Sequence, residues 1–270
     1  MKDYELICTI GPSCEDRLTL ESLKNAGVDI FRVNMSHASI DSLSKFCDLA
    51  KEIDFALGID TEGAQIRTKI KDEEVLHLKK GDTFDIPLNK PKNKDNFLLS
   101  FYPFGVARLL KEGLQIRLDF NGAVVQVIKC KTDSIQLECI NSGKVENNKG
   151  VDILNSTIEL PDFTEKDLEA LNLGREKKIS EIFISFCKSS EAIRKVKEII
   201  PKARVTSKIE NKLSIHNLKS ICKFADALLI DRGDLTREIN IMDIPFAQRG
   251  IVKIAKENNI PCFIATNVLE

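Results

Sequence analysis

Lys208 and Glu210 stand two residues apart in the stretch Val205-Thr206-Ser207-Lys208-Ile209-Glu210-Asn211. The stretch is β-prone, and alternate residues of a strand face one side, so the ammonium and the carboxylate project together. A cation beside a carboxylate at a strand end suits a phosphate and its metal ion. A second carboxylate, Asp234, follows the next apolar run (227–231) in Arg232-Gly233-Asp234. Two strand-end carboxylates with a lysine between them point to a hard-cation site for phosphoryl chemistry. An ordinary exposed salt bridge is the competing reading of the same pair.

Composition narrows the setting. A chain of 270 residues can bury a large core as one α/β domain or two smaller ones. A formal net charge of -1 gives no electrostatic case for nucleic acid or an anionic membrane. The eight cysteines include no C-x-x-C pair, which leaves out the usual zinc spacings, and Cys8, Cys139 and Cys262 sit in apolar runs as reduced core thiols would. Met1-Lys2-Asp3-Tyr4-Glu5 has no leader pattern, and no apolar run approaches the roughly 20 residues of a membrane span, so a cytoplasmic protein is expected.

The elements that must position these residues follow a rhythm. Apolar runs at 5–10, 28–35 and 55–59 alternate with helical periodicity at 18–26 and 40–52, and the runs end in polar residues, the last in Asp60-Thr61-Glu62-Gly63. From about 68 to 159 the period changes to two, with turn signals at Lys80-Gly81-Asp82, Asn121-Gly122 and Asn141-Ser142-Gly143. This reads as a small all-β insertion, a candidate lid, with 89–95 an exposed loop. The βα rhythm resumes at Thr164-Glu165-Lys166-Asp167, a helix start with an acidic first turn. Strands at 182–186, 204–210, 227–231 and 262–266 then alternate with helices at 190–200, 216–224 and 246–257. Polar residues at the C-terminal ends of several strands favour a (β/α)₈ TIM-type barrel over a doubly wound sheet. The expected organisation is a first barrel part at 1–67, the β-rich insertion at 68–159 and the rest of the barrel at 160–270.

With the strand ends aligned, the sequence resembles the pyruvate kinase family along nearly its whole length. Cys8-Thr9-Ile10-Gly11-Pro12 is similar to the family's first strand, and Arg32-Val33-Asn34-Met35-Ser36-His37 to its R-x-N-x-S-H segment. Asp60-Thr61-Glu62-Gly63-Ala64-Gln65-Ile66-Arg67 resembles D-T-K-G-P-E-I-R, and Ala265-Thr266-Asn267-Val268-Leu269-Glu270 resembles A-T-Q-M-L-E. Lys149-Gly150-Val151 and Leu160-Pro161, followed by Thr164-Glu165-Lys166-Asp167, look like the exit from the family's lid domain. Ser207-Lys208-Ile209-Glu210-Asn211 and Arg232-Gly233-Asp234-Leu235 match unchanged.

The resemblance implies transfer of a phosphoryl group from phosphoenolpyruvate to ADP, giving pyruvate and ATP. It implies that Glu210 and Asp234 hold Mg²⁺ or Mn²⁺, and that Lys208 sits on the transferring phosphoryl. It further implies phosphate contacts for Arg32 and Arg67, and nucleotide proximity for His37 and Lys166. Asn34, Ser36, Asp60 and the Thr61 carbonyl would form a monovalent-cation site, normally for K⁺. Thr266 would assist enolate protonation, and the backbone amides of Gly233 and Asp234 would receive the substrate carboxylate. A homo-oligomer is compatible with all of this.

Departures from the family pattern qualify these expectations. Glu62 replaces a lysine, Ala64 a proline, Thr236 a glycine, and Asp119-Phe120-Asn121-Gly122 alters the lid's D-D-G turn. Gln65 stands where glutamate is usual, which leaves K⁺ dependence open. Asp231 replaces a small residue and adds an anion near the metal and substrate, an expected cause of weaker binding of an acidic substrate or of shifted selectivity. The family's eighth βα unit and C-terminal regulatory domain have no counterpart in these residues. Part of a longer product, closure by a partner subunit and a degenerate paralogue are the three expectations that follow. The alternatives to a pyruvate kinase are a relative repurposed to another substrate and a non-catalytic barrel acting as a binding protein.

Overall fold

The computed structural model describes residues 4–63, 65–73, 75–91, 97–119, 122–154, 156 and 158–265. Contacts divide the chain into two compact units, residues 1–63 with 162–270, and residues 64–161.

In the first unit, seven parallel strands form one sheet in the order β1 (Ile7–Ile10), β2 (Ile30–Asn34), β3 (Ala56–Asp60), β4 (Glu181–Ile184), β5 (Arg204–Ile209), β6 (Ala227–Asp231) and β7 (Cys262–Ala265). Among the described residues β1 and β7 lie at its two edges, each with one neighbour. Parallel neighbours need crossovers, and helices supply them: α1 (Arg17–Asn25), α2 (Ile40–Ile53), α3 (Glu165–Lys177), α4 (Ser190–Ile199), α5 (Lys212–His216), α6 (Leu218–Cys222), the single turn α7 (Arg232–Leu235) and α8 (Ile244–Glu257). No helix among the described residues is long and apolar enough to cross a membrane.

The two faces of this sheet are chemically different because side chains alternate along each strand. Phe31, Val33, Ile59, Ile182, Ile184, Val205, Ile209, Leu228 and Ile230 pack against helix residues such as Leu20, Phe46, Leu171, Val196, Ile221 and Ile251 to make the main core. The residues between them face the other way. Among the described residues, a small apolar cluster of Ile30, Phe183 and Leu229, with Ile7, Phe263 and Ala265 against it, fills part of that inner face. Further along the strands the same face carries charge.

Gly58 shows how tightly the inner layer is packed. A Cβ at this position would lie 2.6 Å from Phe183 Cε2 and 3.3 Å from Glu181 Cβ. Gly58→Ala is therefore expected to destabilise the first unit by about 1–3 kcal/mol through overpacking. Urea or thermal unfolding would measure this, and an unchanged midpoint would refute the packing argument.

Local chemistry explains the element boundaries. Thr164 caps α3: its hydroxyl accepts from Asp167 N at 3.1 Å while the Asp167 carboxylate accepts from Thr164 N, a reciprocal box that satisfies two orphan donors. The helix expected at 216–224 is the shorter α6, and the unexpected α5 precedes it. Asn217 breaks the run, leaving helical geometry at φ −91°, ψ 9° as its amide donates to Lys188 O. One turn, α7, lies where no helix was expected; the Asp231 carboxylate accepts from Gly233 N and starts it.

The second unit is antiparallel throughout. Its five-stranded sheet runs in the order Val151–Ile153, Gln115–Leu118, Val124–Cys130, Ser134–Asn141 and Thr83–Pro87. Two further pairs join Gly143–Val145 to Leu76–Leu78 and Arg67–Ile70 to Leu99–Tyr102. Ile86, Ile116, Leu118, Val125, Ile135 and Leu137 form its own core. The loop expected at 89–95 falls in part on residues outside the described ones.

Candidate active site

The charged end of the inner face is built from adjacent strands. Asn34 and Asp60 are register partners on β2 and β3, and Lys208 on β5 is the partner of Leu229 on β6. Period-two alternation then places Arg32, Asp60, Ser185, Lys208, Glu210 and Asp231 on one surface.

Lys208 is the centre. It is buried, and its Nζ lies 2.9 Å from Glu210 Oε1, 3.3 Å from both Asp60 oxygens and 2.9 Å from Ser185 Oγ. Burial alone would lower its pKa, but the carboxylates of Asp60 and Glu210 outweigh that and raise it, so the ammonium stays charged. Asp60 is also 3.2 Å from Arg32 Nη1, while Thr9 Oγ1 accepts from Arg32 Nε at 3.1 Å and Nη2 at 2.7 Å. The guanidinium lies 5.9 Å from the Phe183 ring centroid, which fixes its plane. The exposed-salt-bridge reading of Lys208 and Glu210 is thus replaced by a buried network.

Glu210 is fully buried and has its pKa pushed up to about 7, first by burial and then by Asp234 and Asp60, with Lys208 opposing. Its Oε2 accepts from Phe186 N at 2.7 Å. Phe186 has a φ of 50°, a left-handed conformation uncommon for a large side chain, and that turn belongs to the residue whose N–H meets the carboxylate. Ligand oxygens of Glu210, Asp231 and Asp234 all lie within 4.8 Å of one another. Asp234 Oδ1 is 3.9 Å from Arg237 Nη1, and Asp231 Oδ1 accepts from Gly233 N at 3.2 Å. The Gly233 amide expected to meet a substrate carboxylate is occupied here by the chain's own Asp231.

A second knot ties the ends of β2 and β3 to α3. Lys166 Nζ donates to Met35 O and lies 3.8 Å from Glu62 Oε2, while Glu62 Oε1 accepts from Thr164 Oγ1 at 2.8 Å. Asp167 accepts from Glu62 N at 2.7 Å, Gly63 N at 3.1 Å and Thr164 N at 3.1 Å. Burial pushes the Asp167 carboxyl up to about 6, with the nearby Glu62 charge adding to the rise and the three N–H groups opposing it.

The other expected residues divide. Asn34 Oδ1 accepts from Ser36 N at 2.9 Å and so shapes the turn that leads to the exposed His37. Thr61 is buried, its hydroxyl accepting from Ser185 N at 3.0 Å. Arg67 belongs to the second unit, where its Nη1 donates to Asn148 O at 3.3 Å. Thr266 lies outside the described residues. Sequence reasoning missed Ser185, Thr9 and the Phe186 N–H. Their types are common in loops, and only strand register brings them to Lys208.

The donor sets differ in what they could hold. Three carboxylates give an all-oxygen, anionic set that fits a hard divalent cation. In the monovalent set, Asp60 also meets Lys208 and Arg32, and Asn34 Oδ1 accepts from Ser36 N.

Comparison with known proteins bears on the family. The family described as pyruvate kinase, barrel domain, matches residues 1–270. Proteins named pyruvate kinase from Chlamydia pneumoniae, Thermotoga maritima and Staphylococcus aureus are each 29% identical to this chain, over 277, 280 and 285 residues. The matches cover 98%, 100% and 100% of this chain but 57%, 60% and 48% of those proteins, so the chain spans about half their length. With a family match over its whole length and a lysine–carboxylate cluster at the expected strand ends, the chain belongs to the pyruvate kinase family.

Proposed function

We propose that this protein is a pyruvate kinase-like phosphotransferase that moves the phosphoryl group of phosphoenolpyruvate to ADP. The observation that carries the reading is the fully charged, buried Lys208 held between Asp60 and Glu210 beside a cluster of carboxylates. In this reading the second unit is the lid, and an eighth barrel unit belongs to the complete family fold.

Lys208 Nζ and the Arg32 guanidinium supply fixed positive charge where the equatorial oxygens of the transferring phosphoryl gather negative charge. Neither group has to reorganise, because Asp60, Ser185 and Thr9 already hold both. Glu210 and Asp234 would hold Mg²⁺ or Mn²⁺, which would supply further charge neutralisation at the phosphate oxygens. As the bond from phosphorus to the enol oxygen breaks, the nucleotide's terminal oxygen forms the new one, and the enolate left behind takes a proton at carbon to become pyruvate. Thr266 is assigned to that proton transfer, Arg67 to a phosphate contact, and His37 and Lys166 to the nucleotide, all by resemblance. No step is routed through K⁺.

One observation favours a second reading, a relative acting on a different acceptor or acid. Asp231 holds the Gly233 N–H that a substrate carboxylate would otherwise use. A lactate dehydrogenase-coupled assay with phosphoenolpyruvate, ADP and Mg²⁺, with and without K⁺, separates the two. The expected result is Mg²⁺-dependent pyruvate formation. Absence of turnover together with absence of metal-dependent nucleotide binding would defeat both enzymatic readings.

A further inference from the structure

We propose that Asp231 is a third carboxylate ligand of the divalent cation held by Glu210 and Asp234. The inference rests on the metal site of the preceding reading and goes beyond it in assigning a ligand. Asp231 ends β6 on the inner face, three residues before Asp234, and α7 turns the chain so that both carboxylates meet Glu210, the residue after β5. A triad of oxygens within 4.8 Å spans the dimensions of one cation's coordination shell, since metal–oxygen distances of about 2.1–2.5 Å put ligands up to about 5 Å apart.

Two further observations point to a cation rather than to a chance gathering of acids. Glu210 is fully buried, and its Oε1 accepts no hydrogen bond of acceptable geometry; its charge is met by the Lys208 ammonium at 2.9 Å. Lys208 also serves Asp60, so its one positive charge is divided between two buried carboxylates. Each ligand is also steered by a donor outside the triad. Phe186 N–H meets Glu210, Gly233 N–H meets Asp231, and Arg237 approaches Asp234. Outer hydrogen bonds of this kind hold ligating carboxylates in place before the ion arrives. A residue that acted only by repelling an acidic substrate would need no such alignment with Glu210 and Asp234.

The test is a Mn²⁺ titration of the purified protein, followed by the electron paramagnetic resonance of the free ion, in wild type, Asp231→Asn and Asp234→Asn. Asn at 231 keeps an acceptor for the Gly233 N–H, so α7 should remain formed. Asp231→Asn is expected to weaken Mn²⁺ binding at least about tenfold, comparably to Asp234→Asn, and the loss should persist in about 0.5 M salt. Asp231→Cys provides a second variant: a thiolate ligand should shift preference from Mn²⁺ toward Cd²⁺ relative to wild type. If Asp231→Asn binds Mn²⁺ as wild type does while Asp234→Asn does not, or if its deficit vanishes in salt, Asp231 is not a ligand and the metal site itself stands. If wild type binds no Mn²⁺, or Asp234→Asn binds it unchanged, the metal site falls and this proposal with it.

Discussion

Lys208→Met should lose at least about a thousandfold in the coupled assay and, separately, about 3 kcal/mol of stability. The activity estimate follows from removing a fixed cation from the site where, in the proposed transfer, phosphoryl charge develops; single electrostatic groups in such sites are commonly worth two to three orders of magnitude or more. The stability estimate follows from the partners left behind. Asp60 keeps Arg32 at 3.2 Å, but Glu210 loses its compensating charge while fully buried. Breaking a buried pair by removing one partner costs about 3–5 kcal/mol, and the lower end applies because Glu210, already pushed up to about 7, can take a proton instead. Lys208→Arg provides the contrast. It restores charge but forces a planar fork into a space shaped for one Nζ, so stability should return further than activity. Urea unfolding and the coupled assay read the two effects independently. Activity of Lys208→Met within tenfold of wild type would remove Lys208 from the transfer step.

Asp167→Ala should cost about 2–4 kcal/mol at pH 7 and about 3 kcal/mol more toward pH 4. Three buried backbone N–H groups, of Glu62, Gly63 and Thr164, lose their acceptor, and unsatisfied buried donors cost about 1–3 kcal/mol each before relaxation. The pH slope has a definite sign. Folding raises the Asp167 pKa from 3.8 to about 6, so between these values the native state binds more protons than the unfolded chain. The contribution of Asp167 is therefore full below pH about 4 and declines as pH rises through about 6, by about 3 kcal/mol in all. Comparing wild type and Asp167→Ala at several pH values isolates this term from every other titrating group. A difference that does not change with pH would show that Asp167 stays ionised in the fold.

The parts of this arrangement legible in the sequence are those set by short-range rules. Lys208 and Glu210 are two apart in a β-prone run, so their common face needs only alternation. Thr164 and Asp167 announce a helix start by the reciprocal cap they then make. Other parts depend on which strands become neighbours. Ser185 meets Lys208 because β4 lies beside β5, and nothing local to Ser185 marks it. Phe186 contributes through a backbone N–H, which no side-chain pattern reveals. Asp231 stands out in the sequence as an added anion, but its position beside Glu210 and Asp234 requires α7, a turn too short for any periodicity to announce. Glu62 is a similar case. It departs from the family's lysine, yet it is accommodated by Lys166 and Thr164 across more than a hundred residues of sequence.

The alternation that gives the sheet one apolar and one charged face also bears on how the strands find their alignment. If β5 slipped by one residue against β4 or β6, Lys208 and Glu210 would turn toward the helices and Val205 and Ile209 toward the inner face. An all-apolar strand could tolerate such a slip with modest loss, since a helix-covered core accepts one aliphatic residue for another. Here the misaligned sheet would carry an ammonium and a carboxylate among helix residues such as Val196, with Asp60 left to Arg32 alone. The charges assigned to the proposed chemistry would thus also act as a proofreading device for assembly: misregistered pairings are penalised by several kcal/mol while the correct one is merely neutral.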